Sequence, residues 1–516
     1  MSRTNNSIRN LVTAIIGQGL GFVVSFIARI FFINTLGREY LGLNGLFTNI
    51  LTLLSLAELG VGEAINFSLY KPLAENDTKK CAMLMQLYKK VYNVIGILIL
   101  LIGISLTPFL HLIIKNMPDI PYIELIYILF VVNTAVSYFF SYKRNLIIAD
   151  QKRYIATFYR YLAHVIFTAI EIVYLIFFKN FIGYVIIMII ATLSDNFMVS
   201  RKAEKMYPFL KENQKVPLDE EFKKSILKNT KAMMMHKVGG VLVHSTDNIL
   251  LSSLVSLDSV GLYSNYYFII NALNTVAAHV FNSVTASIGN MFVVDNEKKQ
   301  YEVFKNIYFM NFWLFCFIIV SLLCLFNPFI ELWLGKDFLF SFDIVCMIVI
   351  NFYVLGMRKT VITFREASGL FYKDRWKSIV EATINLVASI ILAHYFQTFG
   401  VFLGTFVSSV STNLWIEPLV LYKYGFKLKL REFYKLYIKY LVVTLSCCLL
   451  TYYLCSLVTF GRVLSFIIKV LLCLLIPNTV VVLLFRKTKE YIYFKKLIKS
   501  FYRRIVKMIG RKHENA

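Results

Sequence analysis

The sequence predicts an all-α, polytopic membrane protein with fourteen transmembrane helices. Two six-helix lobes related by a pseudo-two-fold axis are expected, followed by two extra C-terminal helices. Three observations carry that expectation. Apolar runs of 18 or more residues recur along the whole chain. Lysine and arginine gather in alternate loops. A ten-residue segment, Leu36-Gly-Arg-Glu-Tyr-Leu-Gly-Leu-Asn-Gly45, returns in altered form as Val255-Ser-Leu-Asp-Ser-Val-Gly-Leu-Tyr-Ser264, 219 residues later.

Hydrophobic residues are 58% of the 516 and charged residues 16%, far from the balance of a soluble domain. A hydrocarbon layer of about 30 Å takes roughly 20 helical residues to cross. The first six spans are read at 11–34, 43–67, 91–113, 122–141, 157–178 and 181–199. Six more follow at 233–254, 262–285, 304–326, 341–363, 377–396 and 401–422, and the added pair at 437–457 and 463–485. With the N-terminus inside, 47 of the 55 lysines and arginines fall in inward segments, those at inner helix ends included. Outward loops hold five: Arg38, Lys115, Lys179, Lys336 and Arg462. Arg29, Lys237 and Lys469 lie within spans. This inward bias orients membrane helices, and a missed span would invert it from that point on. Both termini are therefore expected in the cytoplasm.

The net charge of +25 then needs no nucleic acid, because the basic residues line the anionic inner leaflet. Seven of eight cysteines fall inside spans and Cys81 in an inward loop, with no metal-ligand spacing, so neither disulfides nor a metal site is expected. No cleavable signal peptide is expected either, since the first span is too long and lacks a small-residue cleavage pattern.

The expected organisation is an N-terminal six-helix lobe over 1–199 and a charged cytoplasmic linker over 200–228 containing Pro217. A second six-helix lobe follows over 229–424, then the two additional helices over 425–485. Residues 486–516 form a basic amphipathic tail for the inner leaflet. The repeat recurs beyond the ten-mers. Lys152-Arg153-Tyr154 before span five answers Asp374-Arg375-Trp376 before span eleven, and Ile182-Gly183 answers Leu403-Gly404. Such duplication is the mark of a transporter built around a central site.

Charges within hydrocarbon cost about 2.5–3.5 kcal/mol each on insertion scales and usually face a bundle interior or a wet cavity. Arg29, Glu58, Lys237 and Asp247 are the candidate cavity residues. Each lies on a polar stripe at helical spacing: Gln18, Gly21, Ser25 and Arg29 in span one; Asn44 through Thr48, Thr52, Ser55, Glu58 and Gly62 to Asn66 in span two; His236, Gly240, His244 and Asp247 in span seven. By depth, Arg29 is matched with Asp247 and Glu58 with Lys237. Glu63, His236, His244 and Asn248 are candidate coupling or cavity groups. One helix offering His236, His244 and Asp247 over three turns does not enclose a metal ion, so a proton role suits a histidine or carboxylate better. His164 has no partner in this reading, and Asp195, Glu381 and Glu417 are placed near interfaces.

Several segments are similar to signatures of the polysaccharide transporters of the multidrug/oligosaccharidyl-lipid/polysaccharide exporter superfamily. They are Ser245-Thr-Asp-Asn-Ile-Leu-Leu-Ser252, Val260-Gly-Leu-Tyr-Ser-Asn-Tyr266, Ser287-Ile-Gly-Asn290, Arg365-Glu-Ala-Ser-Gly-Leu-Phe371, Asp374-Arg-Trp376 and Gly400-Val-Phe-Leu-Gly-Thr405. The chain resembles the Wzx-type polysaccharide repeat-unit flippases over nearly its whole length. That resemblance implies two six-helix lobes around a central cavity in a bacterial plasma membrane. It implies an undecaprenyl-diphosphate-linked oligosaccharide as cargo, moved from the inner to the outer leaflet. It also implies a proton or sodium gradient as driving force without further cofactor, and a polysaccharide polymerase and chain-length regulator as partners. Arg29 and Lys237 would then contact diphosphate or acidic sugar, with Glu58 and Asp247 as resting counter-ions.

Two rival readings follow from the same residues. One is a related exporter of teichuronic or teichoic-type chains, peptidoglycan precursor or drugs; the basic residues on the cavity face weigh against a cationic drug. The other is a membrane enzyme of polysaccharide assembly, a polymerase or glycosyltransferase. It is disfavoured because every outward loop is short and no soluble catalytic domain is present, so no enzymatic activity is expected.

Overall fold

The computed structural model describes residues 3–58, 61–115, 117–211, 246–294, 296–370, 373–374, 376–496 and 499. These are almost wholly helical, and no strand occurs among them. The physical reason is general: in hydrocarbon each backbone N–H and C=O must be satisfied inside its own segment.

Contacts divide the chain into two compact units, Met1–Ser264 and Asn265–Ala516. The first contains α1 (Arg3–Leu36), α2 (Arg38–Leu54), α3 (Val61–Ala74), α4 (Thr78–Ser105), α5 (Ile123–Ala149), α6 (Arg153–Phe178) and α7 (Phe181–Met206). Helical residues 246–250 follow, then a π turn at Leu251–Val255 and the start of α8 (Leu257–Val294). The second holds the rest of α8, then α9 (Glu297–Leu334), α10 (Phe342–Ala367), α11 (Lys377–Ser408), α12 (Leu430–Ser456) and α13 (Arg462–Phe485). Residues 246–264, which the repeat assigns to the second half, thus cluster with the first.

Ten stretches among the described residues are long and apolar enough to cross a membrane. The longest, Lys377–Gly425, covers two of the expected spans and is broken between them at Gln397, where φ is 49°. Expected span 233–254 lies mostly outside the described residues, and 262–285 falls within α8.

The expected single span 43–67 is corrected: α2 ends at Leu54, Ser55–Glu58 forms a 3₁₀ turn, and α3 begins at Val61. Hydroxyls along its polar stripe explain the bend. Thr48, Thr52 and Ser55 donate to the carbonyls of Asn44, Thr48 and Leu51 at 2.6, 2.7 and 2.8 Å. Such back-bonding loosens and bends a helix. It also satisfies the stripe internally, so polarity there does not by itself require a wet neighbour.

In the first unit, Tyr88, Tyr92, Tyr138, Tyr142 and Leu146 of α4 and α5 pack with Val199 of α7. In the second, an aromatic column on α9 receives the two C-terminal helices. Phe312 stacks on Tyr440 of α12 at 4.3 Å, and Phe485 at the end of α13 lies 5.6 Å from Phe312. Between helices in lipid, close packing of this kind replaces the hydrophobic effect as the source of cohesion. The chain is helical again through 489–496, where Tyr491 and Phe494 pack on Trp313 at 5.8 and 5.1 Å. Residues 500–516 of the expected tail lie outside the described residues.

Candidate functional site

The two ten-residue copies meet each other. Each follows a one-residue interruption between helices, Gly37 in the first copy and Ser256 in the second, which occupy the same repeat position. Gly37 has φ 89°, open to glycine, whereas Ser256 is extended and its Oγ accepts from the Ser259 N–H at 3.1 Å, a helix N-cap. Beyond these points the start of α2 crosses the start of α8. A Cβ on Gly42 would strike the carbonyl oxygen of Leu257, and one on Gly261 would come within 2.6 Å of the carbonyl oxygen of Arg38. Gly42 corresponds to Gly261 in the repeat, and Arg38 to Leu257. The contact is therefore reciprocal. At its centre a Cβ on Gly45 would lie 3.8 Å from that of Ser264. Arg38 Nε pairs with Asp258 Oδ1 at 3.2 Å on the half-exposed flank. Lys115 ties the α4–α5 loop to the same place, its N–H donating to Ser252 O at 3.0 Å and its Nζ to Leu254 O at 2.7 Å.

Arg29 reaches this crossing from α1. Its Nη2 donates to Ser264 Oγ at 2.8 Å, and that hydroxyl donates onward to Gly261 O at 2.8 Å. Tyr184 on α7 lies within electrostatic range of Arg29, and Glu171 on α6 within range of Tyr184. Gly21 and Ser25 of the span-one stripe face α6. Positions 17 and 21 sit against the Tyr161 ring, and Ser25 Oγ lies 3.1 Å from His164 Nε2. His164, left without a partner by sequence, also approaches Thr168 Oγ1 at 3.4 Å.

Asp247 and Asn248 are buried just before the π turn. Glu58 lies at the α2–α3 break, where Oε1 accepts from Tyr92 OH at 2.8 Å and Asn145 Nδ2 donates to that same phenol at 3.0 Å. Glu63 is on α3, with its side chain outside the described residues, as are Lys237, His236 and His244 altogether. The Glu58–Lys237 match therefore falls outside the described residues. Arg29, by contrast, is brought to the second copy of the repeat.

Sequence reasoning missed ion pairs that join helices within each unit. In the first, Arg144 Nη2 donates to Asp195 Oδ2 at 2.6 Å and to Asn196 Oδ1 at 3.2 Å. Beside it Lys143 pairs with Glu204 and donates to Ser200 Oγ at 2.8 Å. In the second unit Glu417, fully buried, receives Arg358 Nη2 at 2.9 Å, Lys377 Nζ at 2.5 Å and Arg365 Nη1 at 3.5 Å. Arg365 also pairs with Asp374, Lys377 with Glu381 at 3.5 Å, and Asn413 donates to Glu381. Asp195, Glu381 and Glu417, placed near interfaces by sequence, are thus ion-pair partners. One signal was available. Arg365 and Glu417 stand 221 and 222 residues after Arg144 and Asp195, the same period as the other landmarks.

A profile of the family described as polysaccharide biosynthesis protein matches residues 7–286, more than half of the chain. The chain belongs to the polysaccharide biosynthesis protein family. No curated protein matches it by overall sequence. Solved structures share its fold. The lipid II flippase MurJ in an inward closed conformation is 14% identical, with a TM-score of 0.70 over 93% of this chain and 99% of that one. An inward-facing multidrug resistance MATE family transporter of the MOP superfamily is 14% identical, with a TM-score of 0.62 over 81% and 99%. A mutant form of the Vibrio cholerae MATE transporter VcmN is 15% identical, with a TM-score of 0.56 over 83% and 99%. This polysaccharide biosynthesis protein is thus a multi-pass membrane protein with a fold shared by flippases and exporters. Its candidate site is the glycine crossing together with Arg29, the half-buried arginine that reaches it.

Proposed function

We propose that the protein is a flippase that carries an undecaprenyl-diphosphate-linked oligosaccharide repeat unit from the inner to the outer leaflet of a bacterial plasma membrane by alternating access. Fourteen spans with both termini inside, and coupling to a proton or sodium gradient, belong to the same reading. Capsule, exopolysaccharide and O-antigen units are the cargo class. A polymerase and a chain-length regulator would take up the product.

The reciprocal crossing of Gly42 and Gly261 is the observation that carries this proposal. In the topology set by the basic residues, both ten-mers lie at outer turns. A contact between equivalent segments of the repeat, lined by glycine and flanked by a half-exposed ion pair, would be separable. It would serve as the outer closure, parting to release cargo outward. A diphosphate and several sugars do not enter hydrocarbon unsolvated, and Arg29 beside the closure supplies a cation at depth. Lys237, with Glu58 and Asp247 as counter-ions, would complete the headgroup site, and Glu63, His236, His244 and Asn248 its polar lining.

The 3.8 Å separation at positions 45 and 264 is that of a disulfide's Cβ atoms, about 3.8 Å. Gly45→Cys combined with Ser264→Cys should cross-link on oxidation and stop delivery of lipid-linked oligosaccharide to the outer leaflet. Reduction should restore it, and each single variant should be indifferent to oxidant. A fully cross-linked protein that delivers at the uncross-linked rate would show that the crossing is not the gate. The fold shared with MurJ supports a second cargo reading, a peptidoglycan precursor, which has the same lipid diphosphate. The lipid-linked glycan that accumulates in a deletion strain distinguishes the two.

A further inference from the structure

Three cysteines converge in the second unit although they come from three helices: Cys324 on α9, Cys455 on α12 and Cys473 on α13. All three are buried, and their sulfur atoms lie within 4.8 Å of one another. Their positions are 131 and 18 residues apart, so no ligand spacing is visible in the sequence. A second thiol contact keeps the same register: Cys316 on α9 meets Cys447 on α12, each eight residues before its counterpart. Equal steps of eight mean that α9 and α12 run parallel and keep the same faces together for about two turns.

We propose that Cys324, Cys455 and Cys473 form a binding site for a soft monovalent metal cation of the Cu(I) type. A metal held by three sulfurs at about 2.3 Å places them about 4 Å apart, a separation the cluster already approaches. Thiolate sulfur selects soft metals. Leu325 and Leu472 pack on the cluster, and among the described residues no histidine, carboxylate or fourth cysteine joins the three sulfurs to complete the four-coordinate shell that Zn²⁺ takes in closed sites. Charge also favours the monovalent ion. Cu(I) would displace two thiol protons and retain the third cysteine as a neutral donor, so the bound group carries one negative charge. Lys469, one turn before Cys473 on α13, lies within electrostatic range of Cys455 and offsets it. The neutral total is what a low-dielectric interior tolerates. Occupancy would pin both C-terminal helices to α9, stabilising the protein as any ligand of the folded state does.

The full-length protein, purified in detergent under anaerobic reducing conditions, is titrated with Cu(I) against a chromophoric Cu(I) chelator. One equivalent per chain should resist the competitor, and X-ray absorption should show a sulfur-only first shell of about three atoms. Cys324→Ala, Cys455→Ala and Cys473→Ala should each lower the affinity at least tenfold, whereas Cys81→Ala and Cys346→Ala should leave it unchanged. The wild-type spectrum makes the result independent of whether the variants fold. Absence of chelator-resistant copper, a first shell containing oxygen or nitrogen, or tighter retention of Zn²⁺ than of Cu(I) would overturn the proposal, the first leaving the thiols as packing groups only.

Discussion

Arg29 shows how one charge within an apolar helix is held. A hydroxyl from the second repeat copy takes one of its guanidinium donors, and that hydroxyl is itself anchored to the carbonyl of Gly261. Under the proposed function, Arg29→Ala at wild-type expression should abolish flipping, and Arg29→Lys should retain part of it, read as intracellular accumulation of lipid-linked oligosaccharide. Glu417 is the opposite case, a carboxylate enclosed by Arg358, Lys377 and Arg365. Removing one partner of a buried pair costs about 3–5 kcal/mol because the others keep uncompensated charge. Glu417→Gln should therefore lower thermal stability in detergent sharply. Lys71→Ala, which ends an exposed i,i+4 pair with Glu75, should change it by no more than about 0.5 kcal/mol. The sequence marked Arg29 because a charge interrupts an apolar run. It could not mark Ser264 as the partner, since no local rule joins residues 235 apart.

At the scale of elements, polar stripes proved a mixed guide. Gly21 and Ser25 of the span-one stripe lie against Tyr161 and His164 of α6. The span-two stripe closes its hydroxyls on its own backbone and ends in the turn that presents Glu58 to Tyr92. Periodicity identifies a face that avoids lipid; it does not distinguish a helix partner from a cavity. The crossing of α2 and α8 is more specific. Because Gly42 and Gly261 each face the other copy's backbone, Gly42→Val and Gly261→Val should cause equal defects. Forcing extra methyls into such contacts costs about 1–3 kcal/mol. Oxidative cross-linking between cysteines at 45 and 264 should fall to a similar degree in both backgrounds. A defect confined to one of the two would mean that the reciprocity has no energetic weight.

For the whole molecule, the proposed topology places Lys179 and Lys336 outside and Lys496 inside, and all three are exposed. A membrane-impermeant maleimide should label Lys179→Cys and Lys336→Cys in intact cells, and Lys496→Cys only after permeabilisation. Reversal of any one would break the alternation of basic loops. The all-helical class and most of the spans were legible because hydrocarbon imposes a length and a polarity on every crossing, and these are properties of contiguous residues. The repeated segments were legible for the same reason, since they keep local spacing, and Arg144–Asp195 and Arg365–Glu417 stand at the same period. The sequence by itself thus determined the membrane class and the repeated segments, and it marked the charged side chains that interrupt apolar runs. Tertiary structure alone decided which of those groups meet. It set copy against copy at Gly42 and Gly261, gave Arg29 its hydroxyl, and gathered three thiols from three helices. Contacts between helices depend on rotation and register, which chain order leaves open until the side chains pack.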